Sequence, residues 1–268
     1  MYFIAGILAV LLPLLAFVAV KKSGLLETRP DDTIEYKRAN GQPLSLHAFF
    51  ADKSNADETK PALILFHGGR WLYGHPRAFY PQCQFFAAQG YHCFSAQYRL
   101  GRNNRVDVQA LVADAQDALD YVAKNAQSLN VNAEKISVGG GSAGGHLAAA
   151  LGTVTLDDSS ARPASMVLFN PMLDLAPATP DHYLVKDYWQ TVSPHHNVKA
   201  GIPPALILVG SNDPEVPVPT AQAFCTAAEA AGGRCELEVY EGQSHGFFNA
   251  QPFLDKTNER VLRFLMSL

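Results

Sequence analysis

Short apolar runs alternate along this chain with longer stretches in which apolar residues recur every three or four positions. The runs at 62–66, 91–96, 136–139, 166–169, 205–209 and 235–240 are nearly continuous, the pattern of strands covered on both faces in a parallel sheet. Upstream, apolar-rich segments at 34–37 and 44–50 flank Asn40-Gly41, a preferred two-residue turn, and so predict an antiparallel hairpin. The clearest helix is expected over 106–126, where Val108, Leu111, Val112, Ala115, Ala118, Leu119 and Val122 keep helical spacing. Asp114, Asp117 and Asp120 lie among them and are expected to face solvent. Further helices are expected over 78–89, 142–151, 220–231 and 256–268. Strands and helices in this alternation build a mostly parallel central sheet with helices on both faces. There is no internal repeat or interdomain linker.

The first stretch is different. Tyr2 to Val20 is 19 residues without a charge, ending at Lys21-Lys22, which is long enough for a hydrophobic helix across a bilayer. Residues 1–23 are therefore expected to be a membrane anchor or signal segment, and 24–268 a catalytic domain. With no basic residue before the apolar stretch, an anchor is favoured over a cleaved signal. The domain is then membrane-anchored through residues 2–20, or exported if the segment is cleaved. A chain of 268 residues with 48% hydrophobic content can bury one substantial core, and a formal net charge of −4 without a long basic run leaves no footprint for nucleic acid. Cys83 and Cys93 are ten positions apart, as are Cys225 and Cys235. Four cysteines permit two disulfides or four buried thiols; such sparse cysteine beside a full core favours ordinary packing.

Three motifs carry the chemistry. Gly140-Gly141-Ser142-Ala143-Gly144 stands where a strand gives way to a helix, and small residues on either side of a serine there allow the sharp turn that exposes its hydroxyl. The Ala143 N–H at the helix start is aimed at a developing oxyanion. His67-Gly68-Gly69-Arg70-Trp71 follows the 62–66 strand at the carboxyl edge, and the backbones of Gly69 and Arg70 are the expected partner donors. Ser244-His245-Gly246 follows the last strand and offers His245 as general base. Asp213, after the 205–209 strand, is the expected acid, with Glu215 and Asp174 as substitutes. Ser142, Asp213 and His245 in that order are the serine-hydrolase order on an α/β sheet. Gly139 to Gly144 also satisfies G-x-G-x-x-G, but a nucleotide site there would leave both histidine-glycine motifs unexplained. No metal or organic cofactor is called for. His146 is expected to pack behind the nucleophile helix and His195-His196 to lie on a surface loop.

Phe66-His67-Gly68-Gly69, Gly139 through Leu147, Phe169-Asn170-Pro171, Gly210 through Val216 and Glu241 through Phe248 together resemble the α/β-hydrolases of the hormone-sensitive-lipase-like and acetyl-esterase (feruloyl and acetyl-xylan esterase-like) group. The resemblance implies the α/β-hydrolase fold, with Ser142, Asp213 and His245 as triad and Gly69, Arg70 and Ala143 as oxyanion donors. Arg70 stands where many members have a third glycine, and the short region 24–60 is too strand-like for the helical cap of larger relatives. An open site bordered by 173–197 follows. Trp71, Tyr188, Trp189 and Phe247 are expected to wall an apolar substrate pocket. The expected activity is hydrolysis of short-chain, acetyl-type esters of sugars or small alcohols. A formamidase-like small-amide hydrolase would use the same residues, and a membrane-tethered binding protein could keep the fold without activity.

Overall fold

The computed structural model describes residues 28–52, 58–103, 105–154 and 160–268. The expected N-terminal hydrophobic helix and membrane segment lie outside these residues, and among those described no helix is long and apolar enough to cross a membrane. Among the described residues, eight strands form one sheet: β1 Asp32–Ala39, β2 Gln42–Phe49, β3 Lys60–Phe66, β4 His92–Ala96, β5 Val131–Gly141, β6 Met166–Phe169, β7 Ala205–Gly210 and β8 Cys235–Tyr240. Their spatial order is β1-β2-β4-β3-β5-β6-β7-β8. The hairpin β1-β2 is antiparallel and turns at Asn40 (φ 52°) and Gly41 (φ 77°), the left-handed pair that such a turn requires. β2 pairs antiparallel with β4, and β3 through β8 are parallel.

The helices are α1 Tyr80–Ala88, α2 Val108–Lys124, α3 Ala126–Leu129, α4 Ala143–Thr153, α5 Trp189–Val192, α6 Val218–Ala230 and α7 Phe253–Leu265. Alternation along β3 explains how one sheet serves two layers. Ala62, Ile64 and Phe66 join a core with α2, α4 and α6, whereas Leu63 and Leu65 join a second core with α1 and α7. α2 begins where the Asp107 side chain accepts from the Ala110 N–H at 3.0 Å, a side-chain cap on the first turn.

Two expectations fail here. Asp114 does not face solvent: it is fully buried and accepts from Lys37 Nζ (2.7 Å), and from Arg99 N (3.1 Å), Nε (2.7 Å) and Nη2 (2.7 Å). Two cations and a backbone donor compensate the cost of removing that carboxylate from water. The cysteines are not free thiols either. Cys83–Cys93 and Cys225–Cys235 are disulfides with Cα separations of 5.0 and 5.2 Å, fastening α1 to β4 and α6 to β8.

Candidate active site

The chain moves from β3 outward to β4 and then returns to place β5 on the other side of β3. Loops leaving β3 and β5 therefore diverge at the carboxyl edge and leave a crevice, the usual ligand position in such sheets. Ser142 sits there, between the last residue of β5 and the first of α4, at φ 54° and ψ −118°. Its N–H donates to Phe169 O at the end of β6 (2.9 Å), and its carbonyl accepts from the His146 N–H (2.9 Å), so the strained turn is held from both ends. The flanking glycines are sterically required. A Cβ on Gly140 would come within 2.5 Å of the Gly144 and Phe66 carbonyl oxygens, and one on Gly144 would overlap the Phe66 and His67 carbonyls.

The loop after β3 is built against this turn. A Cβ on Gly68 would lie 3.0 Å from Gly141 O and 3.3 Å from Ser142 Cβ. The Gly69 carbonyl accepts from the Leu72 (3.0 Å) and Tyr73 (3.1 Å) N–H groups. In a trans peptide the next N–H points the opposite way, so the Arg70 N–H is directed out of that turn. Ala143 opens α4, and its N–H is among the first four that a helix leaves without an intrahelical partner. His67 anchors the loop from beneath. Burial pushes its pKa down to about 4, and the neutral ring stacks on Tyr98 at 4.4 Å while the Tyr98 hydroxyl donates to His67 O at 2.7 Å. Arg70, at φ 52°, sends its guanidinium to Asp181 in the 173–197 segment.

On the other side of the crevice, His245 Nδ1 is 2.8 Å from Asp213 Oδ2. Asp213 is buried, and its Oδ1 accepts from the Glu215 (2.9 Å) and Val216 (3.0 Å) N–H groups. Its Oδ2 also accepts from Asn170 Nδ2. Burial opposes the Asp213 charge, but the His245 hydrogen bond and these N–H donors outweigh it and hold the pKa below the ordinary carboxylate value. Burial likewise opposes an imidazolium at His245, yet Asp213, and to a lesser degree Glu215, carry its pKa above the ordinary 6.5. Glu215 Oε2 lies 3.8 Å from His245 Nε2, on the far side from Asp213. Asp174 is elsewhere, 3.7 Å from His196.

Ser142, His245, Glu215, Gly68, Gly69 and Arg70 all line one cavity of about 210 Å³. Its apolar wall differs from the expected one. Trp71 is fully buried, turned inward at φ 61° with its ring edge-on to His146 at 5.1 Å. Tyr188 donates to Val106 O (3.2 Å) and accepts from the Val108 N–H (3.1 Å), which pins the 173–197 segment to the start of α2. Trp189 packs on His196 at 4.8 Å, and Phe247 on Tyr240 at 4.8 Å. Tyr73, Phe79 and Phe248 form the wall instead. Phe248 is one residue from the expected position, and the single turn Phe247–Asn249 decides which ring faces inward. His146 packs behind the nucleophile helix as expected, fully buried with Nε2 2.8 Å from Val192 O. Asn170 is visible in the sequence only as part of a motif; its contact with Asp213 depends on the neighbouring ends of β6 and β7.

Residues 63–249 match the model of a family described by its alpha/beta hydrolase fold, and the chain belongs to that family. It is 28% identical over 235 residues to esterase LipC of Mycobacterium tuberculosis, covering 76% of this chain and 57% of LipC. It is 26% identical over 193 residues to the acetylxylan esterase of Xylanibacter ruminicola, covering 67% of this chain and 39% of that protein. The chain thus spans about half the length of the curated relatives it matches. Among solved structures, the propionate-bound esterase Est2 of Thermogutta terrifontis superposes with a TM-score of 0.81 at 35% identity, covering 88% of this chain and 93% of Est2. The same enzyme phosphorylated by paraoxon gives the same score and coverage.

Proposed function

We propose that the protein is a serine carboxylesterase acting on short-chain esters. The observation that carries this reading is a His245–Asp213 pair opening into the same cavity as Ser142, which occupies a strained strand-to-helix turn. Ser142 Oγ attacks the ester carbonyl while His245 Nε2 takes its proton, and Asp213 stabilises the imidazolium. The carbonyl oxygen, now negative, is met by the N–H groups of Gly69, Arg70 and Ala143. Collapse expels the alcohol with the proton from His245, and water then hydrolyses the acyl-enzyme by the same steps.

The cavity's size and its Phe79 and Phe248 wall support a short acyl group, acetyl first. The solved esterase Est2 is described with propionate and with butyrate bound, in keeping with that range. Two disulfides support placement of the catalytic domain in an oxidising compartment, exported or held outside by residues 2–20. A fluorophosphonate probe tests the chemistry: labelling of the wild type and none of Ser142→Ala is expected. Equal labelling of both would refute Ser142 as nucleophile, and faster turnover of long-chain than of acetyl p-nitrophenyl esters would refute the acyl preference.

A further inference from the structure

The proton-delivering atom of the base has a second carboxylate beside it. Glu215 Oε2 is 3.8 Å from His245 Nε2, and the Glu215 backbone is fixed because its N–H donates to Asp213 Oδ1 at 2.9 Å. The side chain itself is 54% exposed and lines the cavity. This position is defined by the chemistry. Nε2 must reach the leaving alcohol oxygen within hydrogen-bond distance to protonate it, so a group next to Nε2 adjoins the carbon that carries that oxygen and its nearest substituent. Besides helping to raise the His245 pKa, a carboxylate there borders the alcohol half of the ester. It can accept a hydrogen bond from a hydroxyl one carbon along the alcohol.

Arg70 lines the same cavity with its guanidinium held by Asp181, and it is close enough to Glu215 for their charges to interact. A carboxylate on a fixed backbone and a donor fork held by Asp181 fit a ligand whose groups both donate and accept, as hydroxyls do. A cationic alcohol would meet the Arg70 charge, and an anionic ester would meet Glu215.

Building on the esterase reading, we propose that Glu215, with Arg70 across the cavity, is an alcohol-side specificity determinant that selects monoesters of polyols bearing a free hydroxyl on the carbon adjacent to the ester oxygen. Glycerol and monosaccharides present this arrangement, whereas simple alkanols lack it. The substrate's vicinal hydroxyl donates to Glu215 as the neighbouring oxygen takes its proton from His245.

The test measures kcat/KM for glycerol 1-monoacetate, ethyl acetate and acetylcholine with the wild type, Glu215→Gln and Glu215→Ala. The wild type is expected to favour glycerol monoacetate over both other esters. In Glu215→Ala the ratio of glycerol monoacetate to ethyl acetate should fall roughly tenfold or more, the effect of a lost hydrogen bond to a charged group. Glu215→Gln, which keeps an acceptor without the charge, should fall between. An unchanged ratio in Glu215→Ala, whatever the absolute rates, overturns the proposal, as does a wild-type preference for acetylcholine. Failure of the wild type to hydrolyse any of the three, with no fluorophosphonate labelling of Ser142, overturns the esterase reading and this one together. Hydrolysis with an unchanged ratio overturns this one alone.

Discussion

Replacing Asp213 by Asn changes one atom at a place where every neighbour is a donor. Oδ1 accepts from the Glu215 and Val216 N–H groups, and Oδ2 accepts from Asn170 Nδ2 while facing His245 Nδ1. The new NH2 must therefore face donors whichever way the amide turns. Two backbone N–H groups cannot move, so the oxygen stays with them and the NH2 turns toward Asn170 and His245. The Asn170 amide can rotate to present Oδ1, which has no hydrogen-bond partner among the described residues. His245 can adapt only by exposing an unprotonated Nδ1, which places its proton on Nε2. That tautomer cannot accept the Ser142 proton. The cost expected for a triad forced into the wrong tautomer is about 10⁴ in kcat, or about 5.4 kcal/mol of barrier at 1.36 kcal/mol per decade. Hydrolysis of p-nitrophenyl acetate at pH 8 measures it, with a thermal melt to show that Asp213→Asn is folded. Retention of more than a tenth of wild-type kcat would refute the tautomer argument, because Glu215 lies at Nε2 and cannot hold Nδ1.

Catalysis needs a neutral imidazole, and Asp213 and Glu215 raise the His245 pKa above 6.5 against the opposing effect of burial; the acid limb of kcat/KM should therefore have its midpoint above 6.5, and a midpoint below it would contradict the pairing. For stability the signs differ: the His245 contribution is full below 6.5 and lost as pH rises through its raised value, whereas that of Asp213 is full above 3.8 and lost as pH falls through its lowered one. Removing the Cys225–Cys235 bridge by Cys225→Ser with Cys235→Ser opens a loop with a sequence separation of 10. The expected loss is about 2.8 kcal/mol, seen by calorimetry as a melting temperature roughly 6–11 °C lower. Gly144→Ala drives a methyl into two backbone carbonyls and should cost about 3 kcal/mol in urea denaturation. Gly232→Ala, at φ +80° with nothing within 4 Å, should cost only about 1 kcal/mol.

The strands and the turn at Ser142 were legible because their causes are local. A continuous apolar run says that both faces are covered, and glycine on each side of Ser142 says that the backbone there has no room for a side chain. What escaped depends on partners far along the chain. Asp114 looks like a surface acid on a helix because nothing near it announces Lys37, 77 residues away across the β1–α2 contact. Trp71 reads as a substrate wall until the loop's left-handed turn carries it inward against His146. The cysteine spacing was visible, but bonding needed each helix to bring its cysteine within 5.2 Å of the following strand, Cα to Cα.

The two halves of the crevice are held by different means, and this bears on where the chain can vary. The oxyanion side is backbone against backbone: Gly68 packs on Gly141 and Ser142, Gly144 packs under Phe66 and His67, and a buried neutral His67 locks the strand end to Tyr98. A Cβ at Gly69, Gly140 or Gly144 would collide with main-chain carbonyls, so the proposed oxyanion geometry is preorganised and intolerant of change there. The base side is joined through side chains. Asp213 is oriented by Asn170 and two loop amides, and beyond it Glu215 and Arg70 line the cavity from two separate loops, with Asp181 holding the Arg70 guanidinium. Substitutions at 181 and 215 can therefore reshape the alcohol side while the main-chain geometry around Ser142 stays fixed. On the proposed esterase reading, catalytic power rests on main-chain packing at the β3–β5 junction, and substrate choice on the Glu215 and Arg70 side chains that line the cavity.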